Sequence, residues 1–83
     1  MKITFKLFAT LSDYLPQERQ GNELPLEVNE GTSIMDLVER FQLPIKLVHL
    51  VLVNGKYIKP EDRPCYPLQE NDVLAIWPPV AGG

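Results

Sequence analysis

The sequence has little of what a secreted or membrane-bound protein needs. Its single cysteine, Cys65, cannot close an intramolecular disulfide, so nothing indicates an oxidising compartment. No apolar run approaches the roughly 20 residues of a membrane helix. The first residues, Met1-Lys2-Ile3-Thr4, lack the apolar stretch of a secretion signal. We therefore expect a protein without a membrane partner, located by default in the cytoplasm.

Basic residues are also scarce. Eight Lys and Arg stand against eleven Asp and Glu, which gives a formal net charge of −3, and the two signs are interspersed. Because a nucleic-acid partner normally requires a basic face, we expect none. The remaining composition, 45% hydrophobic and 23% charged over 83 residues, is typical of one small globular domain with a modest core.

The side chains needed for nucleophilic catalysis are missing as a set. The one histidine, His49, and Cys65 lie in separate segments, with no basic cluster beside the cysteine to activate it. His49 could be a general base or a ligand, but its apolar surroundings favour a partly buried structural histidine. We interpret Cys65 as incidental.

Acidic pairs and glycines give no better candidate. Glu61-Asp62 and the pair Glu70 and Asp72 occupy turn segments, where solvated acids are ordinary, so we do not expect catalysis there. The five glycines lack a phosphate-binding spacing, and no set of His, Cys and acidic residues predicts a metal site. We expect no metal and no cofactor bound by the chain itself.

Apolar periodicity predicts five strands and one good helix. Ser33 is a candidate N-cap with Asp36 three residues later, and Pro44 marks the end of the helix that follows. A short helix around Leu11 is stopped by Pro16. Asn54-Gly55 is a strong hairpin signal. The predicted strands are residues 2–8, 24–28 at a sheet edge, 47–53 in the sheet interior, 56–58 and 73–77.

This order of elements fits an α+β fold with one main helix packed on one face of a mixed sheet of about five strands. We predict a β-grasp, ubiquitin-like architecture, because a ferredoxin-like fold would need a second good helix. The β-grasp domain should span residues 1–77. Residues 78–83 should form an extended C-terminal tail that ends in Gly-Gly.

The tail carries the strongest functional signal. Pro78 and Pro79 fix φ and favour an extended arm, and Gly82 and Gly83 can pass through a narrow channel because they have no Cβ. A terminal carboxylate on Gly83 is ionised at neutral pH and is then a poor electrophile. A separate ATP-using enzyme must therefore activate it. The residues expected to enter a partner's active site are Pro78, Pro79, Val80, Ala81, Gly82 and Gly83.

Three segments resemble the MoaD/ThiS family of ubiquitin-like sulfur carriers, most of all its molybdopterin synthase small-subunit branch. They are Val53-Asn54-Gly55, residues 68–72 and, most specifically, Ile76-Trp77-Pro78-Pro79-Val80-Ala81-Gly82-Gly83. The resemblance implies that an E1-like enzyme adenylates Gly83 and that a persulfide sulfur donor converts the acyl-adenylate to a thiocarboxylate. The tail would then enter the large catalytic subunit of molybdopterin synthase and give its sulfur to a pterin precursor. The protein would be a consumed and recharged co-substrate and a non-catalytic subunit.

Strand alternation also predicts a docking surface on the sheet face away from the helix. A Trp beside Leu and Phe is typical of an interface anchor, so we favour partner docking over scattered surface hydrophobics. The family resemblance points to Phe8, Tyr57 and Trp77 as partner contacts. Together the two arguments give Phe8, Leu50, Leu52, Tyr57, Ala75 and Trp77.

Three other functions fit the same sequence. A thiamine-pathway sulfur carrier shares the fold and the Gly-Gly end but usually lacks paired prolines, so Pro78-Pro79 favours the molybdopterin branch. A ubiquitin-like protein modifier would be conjugated through Gly83 to lysines of its targets. A ubiquitin-fold interaction module would have a passive end, and deletion of Gly82-Gly83 would leave its activity unchanged.

Overall fold

The computed structural model describes residues 1–79, and in them five strands form one mixed sheet in the order β2-β1-β5-β3-β4. One α-helix packs on one face, which is the predicted ubiquitin-like β-grasp architecture. The strands are β1 (Lys2–Leu7), β2 (Glu23–Glu27), β3 (Leu50–Val53), β4 (Lys56–Tyr57) and β5 (Val73–Trp77), the helix α1 is Ile34–Arg40, and short 3-10 helices occupy Ala9–Tyr14, Ile45–Leu47 and Pro60–Asp62.

The core lies between α1 and the inner face of the sheet. β1 runs parallel to β5 and antiparallel to β2, and β3 is antiparallel to both β5 and β4. At the helix C-cap, the ring of Phe41 lies 5.0 Å from that of Phe5, centroid to centroid. The side chains predicted to face the helix are all buried, as strand alternation requires: Ile3, Phe5, Leu7, Val51, Val53, Leu74 and Ile76.

Edge strand β2 is protected from further strand pairing by Pro25, as its sequence predicts. Leu7 N donates to the carbonyl of Asn22, and Val28 N donates to that of Met1. Residues 22, 24, 26 and 28 therefore turn their backbone groups towards β1, and Pro25 turns its nitrogen outwards. A proline at this position offers no N–H to another chain, which lowers the risk of edge-to-edge aggregation.

The predicted capping box of α1 is confirmed, but the helix ends earlier than predicted. Ser33 Oγ accepts from Asp36 N at 3.1 Å, and Ser33 N donates to Asp36 Oδ2 at 2.9 Å. At the other end Gln42 adopts a left-handed φ of 56° and Leu43 N donates to the carbonyl of Val38. This Schellman-type closure ends the helix at Arg40, four residues before Pro44, the proline that was predicted to mark its end.

The prediction of one strand over residues 47–53 is wrong in its first part. β3 begins at Leu50, and Leu47 belongs to the 3-10 helix Ile45–Leu47. The cause lies in the neighbouring strand. His49 N donates to the carbonyl of Trp77, where β5 ends, and the prolines that follow have no N–H to continue the ladder. The apolar residues before His49 therefore cover the core instead of pairing.

The hairpin turn is confirmed, and its asparagine also joins β5. Asn54 and Gly55 have φ values of 52° and 83°, the pattern of a type I′ turn. Asn54 Nδ2 donates to Asp72 Oδ1 at 2.9 Å, and Val73 N donates to Asn54 Oδ1 at 2.8 Å. Gln69 N donates to the other carboxylate oxygen of Asp72. Asp72 is therefore a buried structural residue, and the prediction of a solvated turn acid is wrong for it.

Candidate functional site

The strand register brings the predicted partner-binding residues together on the outer face of the sheet, the face opposite α1. Leu52 pairs with Ala75 on one side and with Tyr57 on the other, so these three side chains form one row. Trp77 pairs with Leu50 in a second row. We name this set the outer-face patch: Phe8, Leu50, Leu52, Tyr57, Ala75 and Trp77.

Members of the outer-face patch differ in how much surface they offer. Tyr57 is 50% exposed and Leu50 37%, whereas Leu52 and Trp77 are half-buried. Ala75 is 7% exposed, so it forms the floor of the patch and offers little area. Large apolar side chains that remain accessible side by side are typical of a surface that another molecule covers.

Phe8 and Trp77 form a stacked pair at the end of the patch. Their ring centroids are 4.0 Å apart, and the ring planes differ by 6°. The backbone holds both residues in place, because Phe8 N donates to the carbonyl of Ile76 and His49 N donates to that of Trp77. Backbone hydrogen bonds at both residues and the stacking of the rings therefore support this aromatic pair on the outer face.

The part of the outer face formed by β1 and β2 is polar. In β1, Lys6 pairs with Ala75 in register and forms an ion pair with Glu23 of β2, Nζ to Oε2 3.5 Å. Lys2 and Glu27 pair in the same two strands. A partner seated on the outer-face patch would therefore meet apolar side chains over β5, β3 and β4, and charged side chains beyond Lys6.

β5 ends at the outer-face patch, so the residues that follow it begin there. It lies in the middle of the sheet and ends at Trp77, so Pro78 and Pro79 leave directly beside the Phe8–Trp77 stack. Pro78 is half-buried and Pro79 is exposed. The remaining predicted tail residues, Val80, Ala81, Gly82 and Gly83, lie outside the described residues. The division into a domain of residues 1–77 and a tail of residues 78–83 therefore stays a prediction.

The other chemically capable side chains do not assemble into a site. His49 is exposed, so the prediction of a partly buried structural histidine is wrong. It immediately precedes Leu50, the first residue of β3, and therefore lies at the rim of the sheet. Cys65 is an exposed free thiol. Within residues 1–79 no three His, Cys, Asp or Glu side chains are grouped to hold a metal ion. The same part of the chain has no helix long and apolar enough to cross a membrane.

Sequence reasoning missed Arg63, which is 4% exposed. Its Nε donates to the carbonyl of Ile58 at 3.0 Å, Nη2 to that of His49 at 3.1 Å and Nη1 to that of Val48 at 3.4 Å. The guanidinium thus joins the segment before β3 to the segment after β4. No local pattern marks this role, because the three carbonyls come from two segments that only the fold brings together.

These observations define a small ubiquitin-like β-grasp protein with an apolar outer face at the end of its last strand. The family model described as "ThiS family" matches residues 5–83, and the chain belongs to this family of ubiquitin-fold sulfur carriers. Such proteins are small carrier domains and typically non-catalytic subunits. No curated protein sequence matches the chain.

Solved structures share the fold at low sequence identity. SAMP1 from Haloferax volcanii is 23% identical with a TM-score of 0.68, and the match covers 100% of both chains. A chain from the complex of subunits 1 and 2 of the molybdopterin-converting factor from Helicobacter pylori 26695 is 20% identical, with a TM-score of 0.61 and 100% coverage of both. Putative molybdopterin converting factor subunit 1 from Pyrococcus furiosus is 24% identical, with a TM-score of 0.62 over 95% of this chain and 98% of that one.

Proposed function

We propose that this chain is a sulfur carrier that acts as the small subunit of a molybdopterin synthase, in the cytoplasm, with Gly83 as the site of its chemistry. The observation that carries the proposal is the family match, which extends to residue 83 and so includes the Gly82-Gly83 end. The position of the outer-face patch supports it. A partner that holds Trp77 also stands where the chain leaves β5, and is therefore placed to receive the tail.

In the proposed cycle an E1-like enzyme first activates the tail. The Gly83 carboxylate oxygen bonds to the α-phosphorus of ATP and pyrophosphate leaves. The terminal sulfur of a persulfide donor attacks the acyl carbon, and AMP leaves. A thiol then reduces the acyl disulfide, which leaves a thiocarboxylate on Gly83 and a disulfide on the donor side. The chain contributes the acyl group and no catalytic side chain.

The thiocarboxylate is then proposed to enter the large catalytic subunit and pass its sulfur to a pterin precursor. The paired prolines Pro78-Pro79 favour this pathway, and one structure of the same fold contains subunits 1 and 2 of a molybdopterin-converting factor together. Six extended residues span at most about 20 Å. A tail of residues 78–83 is therefore long enough to reach a buried pocket while the outer-face patch stays docked.

The test is the intact mass of the protein after incubation with ATP, an E1-like activating enzyme and a persulfide or sulfide source. We expect the gain of one oxygen replaced by sulfur. Two matched controls should show no gain: a variant that lacks Gly82-Gly83, and one with an extra residue after Gly83. If no activating enzyme produces an ATP-dependent gain, the tail is passive and the interaction-module function replaces this proposal.

A second experiment separates the pathways that share this activation. The thiocarboxylated protein is mixed either with a molybdopterin synthase large subunit and pterin precursor or with the sulfur-accepting enzyme of thiamine synthesis. We expect loss of sulfur from the carrier only in the first mixture. Transfer only in the second would assign the chain to thiamine synthesis, and isopeptide-linked adducts in cells would assign it to protein modification.

A further inference from the structure

A pocket of about 310 Å³ lies next to the outer-face patch, at the β4 edge of the sheet. Its lining includes Ile45, Val48, His49, Tyr57 and Arg63. Its volume is at the lower end of the range of small-ligand clefts, about 300 to 1,000 Å³. The pocket can therefore hold one side chain, and Tyr57 belongs both to it and to the outer-face patch.

Arg63 brings an uncompensated positive charge to this pocket. A guanidinium has five N–H donors, and the three backbone carbonyls described above use one on each nitrogen. One N–H is left on each terminal nitrogen. In residues 1–79 the ion pair that the structure records is Lys6–Glu23, so no carboxylate there neutralises Arg63. A buried charge is normally paired, and carbonyl dipoles are only a partial substitute.

Two of the lining residues are large, apolar or aromatic, and exposed. Ile45 is 63% exposed and Tyr57 50%, and the guanidinium carbon of Arg63 lies 5.9 Å from the Tyr57 ring centroid. An exposed isoleucine and an exposed tyrosine in the lining suit an aliphatic stem. The two remaining N–H groups of the guanidinium suit a carboxylate, because a hydrogen bond between two charged groups is stronger than one between neutral groups.

The charge of the surrounding chain favours an anion. The protein as a whole has a formal charge of −3, yet residues 42–60 contain no Asp or Glu and carry Lys46, Lys56 and Lys59. The acids that come next in the chain, Glu61 and Asp62, are exposed. The segment that supplies most of the lining is therefore basic in an acidic protein, which favours an acidic ligand over a basic one.

We propose that this pocket binds the carboxylate of an aspartate or glutamate on the protein that docks on the outer-face patch. Because Tyr57 borders both surfaces, an acid at the edge of the docked partner would reach Arg63 while the apolar contacts are made. The identity of that partner rests on the proposed function. The carboxylate selectivity of the pocket rests on the pocket itself and can be tested without a partner.

The probe is butyrate, an aliphatic stem with one carboxylate, and its matched control is the neutral isostere butyramide. Both are titrated into the ¹⁵N-labelled protein, and NMR follows the Arg63 Nε–H and the backbone amides of His49 and Ile58. We expect saturable shifts with butyrate and about fivefold weaker binding of butyramide, since a hydrogen bond to a charged group is the stronger one. Equal binding of the two, or shifts that never saturate, would overturn the proposal.

Substitution at Ile45 supplies a second arm that does not disturb the buried arginine. Ile45→Glu places a competing carboxylate at the mouth, and Ile45→Gln is its neutral match; both should fold because Ile45 is largely exposed. We expect Ile45→Glu to weaken butyrate binding about threefold more than Ile45→Gln, the size of an exposed ion pair. Identical affinities would overturn the proposal. Butyrate binding without thiocarboxylation of Gly83 would refute the proposed function alone, and the reverse would refute the pocket alone.

Discussion

Replacement of Trp77 by alanine should separate docking from stability. A fully buried aromatic side chain costs about 3–5 kcal/mol when cut to alanine, but Trp77 is only half-buried. Its stack on Phe8, with centroids 4.0 Å apart, is worth about 1 kcal/mol beyond burial. We therefore expect Trp77→Ala to lower the free energy of unfolding by about 2 kcal/mol, roughly half the loss expected for the fully buried Phe5→Ala.

The effect on binding should be larger than the effect on folding. An aromatic anchor of an interface contributes about 3 kcal/mol, and loss of that amount corresponds to an increase of about 100-fold in Kd. The binding partner used in this test is an E1-like enzyme that adenylates the wild-type protein in the proposed cycle. Trp77→Phe is the matched control, because it keeps a ring against Phe8, and it should retain most of the binding.

The assay uses the fact that Trp77 is the only tryptophan in the chain. Wild-type protein containing 5-fluorotryptophan gives a single ¹⁹F signal on the outer-face patch, and its shift on addition of the enzyme reports docking. Trp77→Ala and Trp77→Phe carry no tryptophan, so their Kd is measured by competition against the labelled wild type. Urea unfolding of the unlabelled wild type and of each variant gives the stability change. A large loss of stability with unchanged affinity would refute the placement of Trp77 in the interface.

Two further predictions concern the residues that hold the site in shape. Asn54→Gly keeps the positive φ but loses two side-chain hydrogen bonds, so we expect a loss of about 1–2 kcal/mol; Asn54→Ala should lose about 1 kcal/mol more because alanine disfavours that φ. Equal stability of the two variants in urea unfolding would contradict this account of the turn. Arg63→Met leaves three carbonyls without their donor and should lower the free energy of unfolding by about 3 kcal/mol. Arg63→Lys should recover only part of this loss. Chemical denaturation measures both variants, and a wild-type midpoint for Arg63→Met would refute the role of the guanidinium.

Where local chemistry decides the structure, the sequence was sufficient. The alternation of β1, the capping box at Ser33 and the Asn54-Gly55 turn each depend on residues that are close in the chain, and all three are present as predicted. The outer-face patch followed from the same alternation, except for Tyr57, whose place in it came from the family resemblance. Its role in binding a partner stays a prediction.

Where distant segments decide, the sequence was not sufficient. The start of β3 depends on where β5 ends, which residues 47–49 do not encode. Arg63 and Asp72 resemble ordinary loop charges in the sequence, because most of their partners lie in other segments. These are the carbonyls of Val48, His49 and Ile58 for the arginine, and the side-chain amide of Asn54 for the aspartate. Buried polar residues in loops are identified only when the chain has been folded around them.

The parallel pairing of β1 with β5 has a consequence for how the protein is made. Thr4 pairs with Val73, so the two strands that meet at the middle of the sheet come from opposite ends of the described chain. During synthesis β1 lacks its central neighbour until residues 73–77 have left the ribosome. Such long-range pairing slows folding, and a chain that stops short of β5 lacks its middle strand. A chain cut before residue 73, which lacks both β5 and the Gly82-Gly83 end, would therefore not persist as a folded domain that presents the outer-face patch.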